Sequence, residues 1–450
     1  YGVAYGGESQ PWQRLRSPWG NDEQLYQNKW EFEHRGFSNT TDANGNPVID
    51  VDWFVFDIER QIKSNDSILL LKGLPSIPAE VNALNNNDFI QAYKQELQEL
   101  YFKPTKVFSD RGLLSSKVSS YADTPVLNTF ADIQVRSWEA WKTDKSVLNP
   151  NVLNFAENRV GGNFYNSMNI LMPSAYYYFD YPSPFAPEYL SYLLFQIEVN
   201  KAWSDKPIYP YVWLRYSANP ALRYKLIRPW MAEATAIFPF FSGASGLWLW
   251  EDPTTFSLDS GNSAYEYFTR GLYRLSQYKD FFVGEHELVI ETSAHELNRQ
   301  RSAVWRGVVK GNNILVAAHN PFAKDENEET IVAVKYGNWS RLITLKGYEI
   351  SLCAYDMSVL NTEAGINDFA VTVFPNPADS EVKVRFSSIV PQIGTLTFFD
   401  AAGKQLFRKE ITAKVGKNEE VLLLPNATNN VMFLRLELGG KHETLKIVKQ

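Results

Sequence analysis

The chain has 450 residues, 44% of them hydrophobic and 21% charged, with a net charge of −7; that balance suits a soluble protein of roughly two to four domains. No basic stripe appears, which argues against a nucleic-acid partner, and no apolar run reaches the ~18 residues that a membrane span requires. One cysteine, Cys353, excludes an intrachain disulfide, and five scattered histidines offer no zinc-ligand spacing, so no metal and no cofactor is expected.

Aromatic residues are abundant, at 13 Trp, 24 Tyr and 28 Phe. Part of this must be core. The excess also suits sugar binding, because pyranose rings present flat C–H faces that stack on aromatic rings. The chain starts at Tyr1 with neither Met nor a signal peptide, so it is expected to be a mature or truncated product.

Residues 1–36 are Trp- and Gln-rich with little periodicity, and Asp42 to Pro47 is a turn cluster. It has half the pattern of a calcium loop, but Pro47 stands where that loop requires Gly, so a plain turn is the expectation. From residue 51 a regular pattern begins. Strands are expected at 51–58, 117–122, 170–179, 208–216 and 246–250. Helices are expected at 89–101, 189–203, 227–238 and 264–278. Apolar strands alternating with helices indicate βα units around a parallel sheet buried on both faces. Polar residues gather where the strands end: Asp57 and Glu59, Tyr121 and Asp123, Asp180, Arg215 and Tyr216, Glu251 and Asp252. In a (β/α)8 barrel that rim is the active-site face. The rival is a doubly wound sheet, but no G-x-G-x-x-G or P-loop is present.

After Gly284 the texture changes to short antiparallel strands at 287–292, 303–309, 314–318, 330–335 and 341–354. The expected organisation is a TIM-barrel-like domain at 1–284, a small β-sandwich at 285–360 and a polar linker at 361–368. An Ig-like β-sandwich follows at 369–450.

That last segment contains Phe374-Pro375-Asn376-Pro377-Ala378, Asp400-Ala401-Ala402-Gly403, and a terminal Lys446-Ile447-Val448-Lys449. The two prolines fix an extended lead-in to the first strand. Together these motifs resemble the type A sorting domain of the type IX secretion system of Bacteroidetes. The resemblance implies passage across the outer membrane through the type IX translocon. It then implies release or attachment to surface lipopolysaccharide, and separability of this domain at the linker. Pro375, Asn376, Pro377, Gly403, Lys446 and Lys449 are the positions that match its signal.

In the barrel, Asp57 and Glu59 are two apart on a strand and so share a face at its carboxyl end. Adjacent carboxyls cannot both ionise cheaply, so one stays protonated and can serve as a general acid toward a glycosidic oxygen. Period two also puts Tyr176, Tyr178 and Asp180 on one face.

The D-x-E pair resembles the catalytic strand of chitinase-like and hyaluronidase-like barrels, which use the substrate's own N-acetyl group. Residues 170–180 sit where those barrels carry an aromatic strand, and 207–215 look like the strand after it. Gly243-Ala244-Ser245-Gly246 with Trp250 looks like a hyaluronidase closing strand. The resemblance implies Glu59 as general acid/base, Asp57 assisting at the acetamide, Tyr178 or Tyr176 bonding that group, and Trp250 stacking on a sugar. Asp180, Arg215 and Glu251 complete the expected substrate contacts, Glu251 being either a rim ion pair or, with Asp252, an alternative nucleophile. Two departures stand: Val55 where the chitinase motif has Asp, and Ile58 where hyaluronidases have Trp. Were Asp57 and Glu59 to end a fourth strand, three βα units of about 30 residues each would have to precede them. The first strands are therefore expected upstream of Tyr1 and absent from this chain, or else the barrel is expected to be incomplete. The expected function is a secreted glycoside hydrolase acting on a polysaccharide; the alternative is a non-catalytic glycan-binding or adhesive surface protein. No zincin, serine-hydrolase or Cys–His pattern supports a protease.

Overall fold

The computed structural model describes residues 2–5, 18–19, 28, 30, 32, 40–45, 47–48, 52–58, 64–110, 117–127, 130–217, 220–222, 225–250, 263–358, 371–388, 391–425, 430–439 and 441–449. They form two compact units: Tyr1–Arg274 with Ile290–Arg301, and Leu275–Val289 with Ser302–Gln450. The first is mixed α/β, and the second is almost entirely strand. The expected linker at 361–368 lies outside the described residues.

In the first unit, β1 (Gly2–Tyr5), β2 (Trp53–Asp57) and β3 (Lys117–Ser120) form a parallel sheet with β2 in the middle. Residues 1–36 show little periodicity, yet Gly2–Tyr5 is a strand. Four residues are too few to carry a pattern, and the partner lies about fifty residues further on. The ladder continues by single parallel bridges, Tyr121 to Met172, Leu171 to Ile208 and Ser174 to Tyr211. It ends on β4 (Tyr211–Val212) paired in parallel with β5 (Trp248–Leu249). The expected strand at 170–179 is thus a string of isolated bridges, broken by Pro173, which cannot donate to a ladder. Across the described residues the parallel segments follow one another in chain order, with no reversal of the kind a doubly wound sheet has.

Helices α1 (Asn86–Asp110), α2 (Tyr189–Lys201) and α3 (Pro229–Phe241) fall between successive parallel segments, and α4 (Ser263–Ser276) follows the last. Helix α2 is buried on every side from Tyr189 to Asn200, which is why it shows no amphipathic stripe. A short helix that the sequence reading lacked, α5 (Ala294–Gln300), packs on it. Ser293 caps α5, and the buried Glu198 carboxylate accepts its first amide, from Ala294, at 2.7 Å. The other Glu198 oxygen accepts the Ser242 hydroxyl at 2.9 Å, so this buried charge is satisfied by a helix N-terminus and a hydroxyl. Outside the sheet, Asp42 to Pro47 forms the expected turn: Asp42 accepts the Asn44 amide on its side chain at 2.9 Å and the Gly45 amide on its carbonyl at 3.0 Å.

In the second unit, β6 (Glu287–Val289), β7 (Val304–Lys310), β8 (Asn313–His319), the hairpin β9 (Glu329–Tyr336) and β10 (Trp339–Lys346), and β11 (Ile350–Asp356) come first. The sheet order is β6-β7-β8-β11, all antiparallel, with β9–β10 forming a second layer. Trp305, Ile314 and Val316 of the sheet share a core with Val334, Ile343 and Leu345 of the hairpin.

The C-terminal strands are β12 (Thr372–Phe374), β13 (Glu381–Ser388), β14 (Gln392–Asp400), β15 (Gln405–Ala413), β16 (Gly416–Leu423), β17 (Val431–Leu438) and β18 (Lys441–Val448). They form two antiparallel sheets, β12-β13-β16 and β15-β14-β17-β18. Strict alternation along β13 and β17 turns Val382, Val384 and Phe386 toward Leu434 and Leu436 in one core.

Candidate functional site

Strand β2 alternates cleanly. Phe54 and Phe56 point to one side of the sheet, and Trp53, Val55 and Asp57 to the other. Val55 joins Ile170, Met172 and Tyr211 in one cluster, flanked by Trp53, Tyr121, Tyr176, Tyr209 and Trp248. Every parallel segment from β2 onward contributes to this face. It is apolar and aromatic at depth, and Asp57 stands on it at the strand's carboxyl end, only 8% exposed.

The rings on this face form a connected set. Tyr121 stacks on Tyr176 with centroids 6.1 Å apart and meets Tyr211 edge-on at 4.8 Å. Tyr176 also contacts Trp213 at 5.6 Å, and Tyr211 contacts Trp250 at 6.3 Å. The Tyr121 hydroxyl donates to Ser174 Oγ at 2.9 Å. Burial, with the charges of Tyr121, Tyr211 and Asp57, pushes the Tyr176 phenol far above its ordinary value. Tyr176 is therefore a hydrogen-bond donor at every working pH. Trp250 is 38% exposed at the outer end of the set, beside the buried Tyr211.

The sequence-expected residues distribute as follows. Asp57, Tyr176 and Trp250 belong to the aromatic face. Tyr178 packs on Phe130 at 5.2 Å and Tyr192 at 6.4 Å. Asp180 accepts the Tyr216 hydroxyl at 2.8 Å, Lys225 Nζ at 2.8 Å and Arg228 Nε at 2.7 Å. Burial works to raise the Asp180 pKa, and the bonds from Arg228, Lys225 and Tyr216 outweigh it and hold the carboxyl below the ordinary range. So Tyr176, Tyr178 and Asp180 have three separate sets of partners: period two needs a continuous strand, and the segment is not one. Arg215 is buried at the end of the next segment. Glu59, Glu251 and Asp252 lie outside the described residues.

Asp123 accepts the Ser120 hydroxyl at 2.6 Å and the Asn151 amide at 3.3 Å. Ser120 is level with Phe56, so this carboxyl is tied to the face opposite Asp57; burial pushes it up to about 6. Tyr211 and Trp213 join the site although the sequence reading did not single them out. Their signal was the alternation of 209, 211 and 213, all aromatic.

In the C-terminal sheets, Asp400 and Gly403 close a turn in which the Asp400 side chain accepts the Ala402 and Lys404 amides, each at 2.9 Å. Lys446 is exposed on β18 and Lys449 is half-buried just beyond it. Among the described residues no helix is long and apolar enough to cross a membrane.

Residues 372–450 match the family described as the secretion system C-terminal sorting domain. This is the sorting domain of the type IX system: the protein engages that translocon and is exported, to the cell surface or the medium. No curated protein sequence matches the chain. Among solved structures the chain is similar to bee venom hyaluronidase in complex with a hyaluronic acid tetramer, at 12% identity over 63% of this chain and 97% of that one, TM-score 0.34. It is also similar to a noncanonic maltogenic alpha-amylase from Thermotoga neapolitana, at 12% identity over 76% and 84%, TM-score 0.32. A glycoside hydrolase family 5 protein from Bacteroides vulgatus shows 10% identity over 88% and 82%, TM-score 0.28.

Proposed function

We propose that the exported protein is a glycosidase built on a barrel-type sheet, and that it cleaves a polysaccharide at the strand end carrying Asp57. The observation that carries this reading is a buried carboxyl at the carboxyl end of a central parallel strand, on the face that carries the tyrosine and tryptophan rings and near enough to Tyr176 to act on its phenol. Parallel segments that succeed one another in chain order support the barrel.

In this reading Glu59, two residues beyond Asp57, protonates the leaving glycosidic oxygen and later activates water. Asp57 steadies the substrate's acetamide as it attacks the anomeric carbon, and Tyr176 donates a hydrogen bond to the same group. Trp250 offers its exposed ring to a pyranose face. Should Glu251 or Asp252 act as nucleophile instead, the separation of the two carboxyls would reveal it, at about 5–5.5 Å for retention through a covalent intermediate. After export, attachment to surface lipopolysaccharide is part of the same proposal.

A second reading, glycan binding without cleavage, draws on the aromatic face alone, which needs no carboxyl to hold a sugar. Glu59→Gln separates the two. Lost hydrolysis with retained polysaccharide binding supports the glycosidase. Glycan binding by a parent protein that releases no reducing ends supports the binding module.

A further inference from the structure

Strand β18 is the last strand of the sorting domain and lies at the edge of its sheet, paired on one side with β17. An edge strand frays unless its outer N–H and C=O groups find partners. Near the end of β18 three of those groups have partners. The Asn376 side-chain Nδ2 donates to the Lys446 carbonyl at 2.7 Å, and Asn376 Oδ1 accepts the Val448 amide at 2.9 Å. Two residues further on, the Ala378 amide donates to the Val448 carbonyl at 2.8 Å.

Strand geometry sends the N–H and C=O of alternate residues to the same edge, so 446 and 448 present theirs together, away from β17. A neighbouring strand would normally meet them with backbone groups. Here the neighbour is Pro375-Asn376-Pro377, and both prolines lack an N–H. The carboxamide of Asn376 supplies the missing donor and acceptor from one planar group, and Ala378 resumes ordinary backbone pairing. The bonded residues bracket Ile447, which is fully buried in the core of the two sheets. The latch therefore fixes the stretch that carries Lys446 and Lys449.

We propose that Asn376 is a positioning residue of the export signal: its side chain closes the open edge of the terminal strand and presents residues 446–449 to the translocon in a fixed, extended form. A flanking pair of prolines makes the side chain, and not the backbone, responsible for the latch.

The test uses the full chain in a cell with a functional type IX system, comparing the parent with Asn376→Ala and Asn376→Asp. Deletion of 372–450 serves as the control for the sorting domain itself. Two quantities are read: the extracellular fraction, and peptide-level hydrogen exchange of residues 441–450 against 392–400. The expected result is roughly tenfold faster exchange in 441–450 for Asn376→Ala, which loses both hydrogen bonds, and a smaller increase for Asn376→Asp, which loses one, with 392–400 unchanged and export several-fold lower in both. Asn376→Asp keeps the shape and one acceptor and loses only the donor, so it remains informative if the alanine variant fails to fold. Parental export by Asn376→Asp despite faster exchange would make the latch merely structural, and unchanged exchange would remove the latch altogether; either overturns the proposal.

Discussion

The Tyr121 hydroxyl donates to Ser174 Oγ at 2.9 Å, joining two neighbouring parallel segments on the face where Asp57 stands. The same ring contacts Tyr176 and Tyr211, so Tyr121 holds the site together by packing more than by this bond. Tyr121→Phe keeps the ring and loses the bond, and is expected to cost about 1 kcal/mol. Tyr121→Ala empties the centre of the cluster and is expected to cost about 3–4 kcal/mol. Denaturant midpoints of the two variants check this, and equal losses would show that the ring contacts contribute nothing.

Trp250 is partly exposed, so its removal should hardly change the fold. Trp250→Ala is expected to alter stability by less than about 1 kcal/mol while weakening polysaccharide binding roughly tenfold, the worth of one stacked ring. Calorimetric titration with a bound oligosaccharide measures the second effect.

What the sequence made legible follows from how local each signal is. Trp53–Asp57 was readable because its apolar run is continuous and ends on acids, and α1 because its pattern runs for several turns. The aromatic residues of 208–216 were visible, but their meeting with Tyr121 and Tyr176 depends on bridges between distant segments. The partners of Asp180 are Tyr216, Lys225 and Arg228, at least 36 residues away, and no spacing rule reaches that far. Residues 341–354 read as one strand and are two, because Gly347 lies in a turn between β10 and β11. The sorting motifs were the most legible feature, since a turn, a proline pair and a terminal strand are each short and local.

Two buried groups are expected to titrate with opposite effects on stability. Asp123 moves from 3.8 up to about 6 on folding, through burial. Its contribution is fully present below the unfolded value and is lost as pH rises through 6. His319 moves from 6.5 down to about 4, also through burial. Its contribution is present above the unfolded value and is lost as pH falls from 6.5 through 4. Each is worth about 3 kcal/mol at full extent. Asp123→Asn should therefore gain on the parent between pH 4 and pH 7, and His319→Gln should gain on it between pH 7 and pH 4. Denaturant unfolding of both variants across that range checks the two signs.

Two glycines of the sorting domain should differ in cost for different reasons. Gly403 has φ +82° with open space around it, so Gly403→Ala meets only backbone strain of about 1 kcal/mol. At Gly394 a methyl group would stand 2.6 Å from the Glu437 carbonyl oxygen across the β14–β17 pair. Gly394→Ala must push the two strands apart and is expected to cost more, about 2–3 kcal/mol. Comparison of the two unfolding midpoints decides it, and a larger loss at Gly403 would refute the close-approach argument.

Asp57 is proposed to belong to a catalytic strand end. This is tested most directly by reducing-end release from a panel of polysaccharides, measured for the parent and Asp57→Asn alongside binding of the same polymers. The parent should release reducing ends, and Asp57→Asn should lose at least about a hundredfold in kcat with binding retained. Hydrolysis by Asp57→Asn at the parental rate, or a parent that binds these polymers and cleaves none of them, would contradict it.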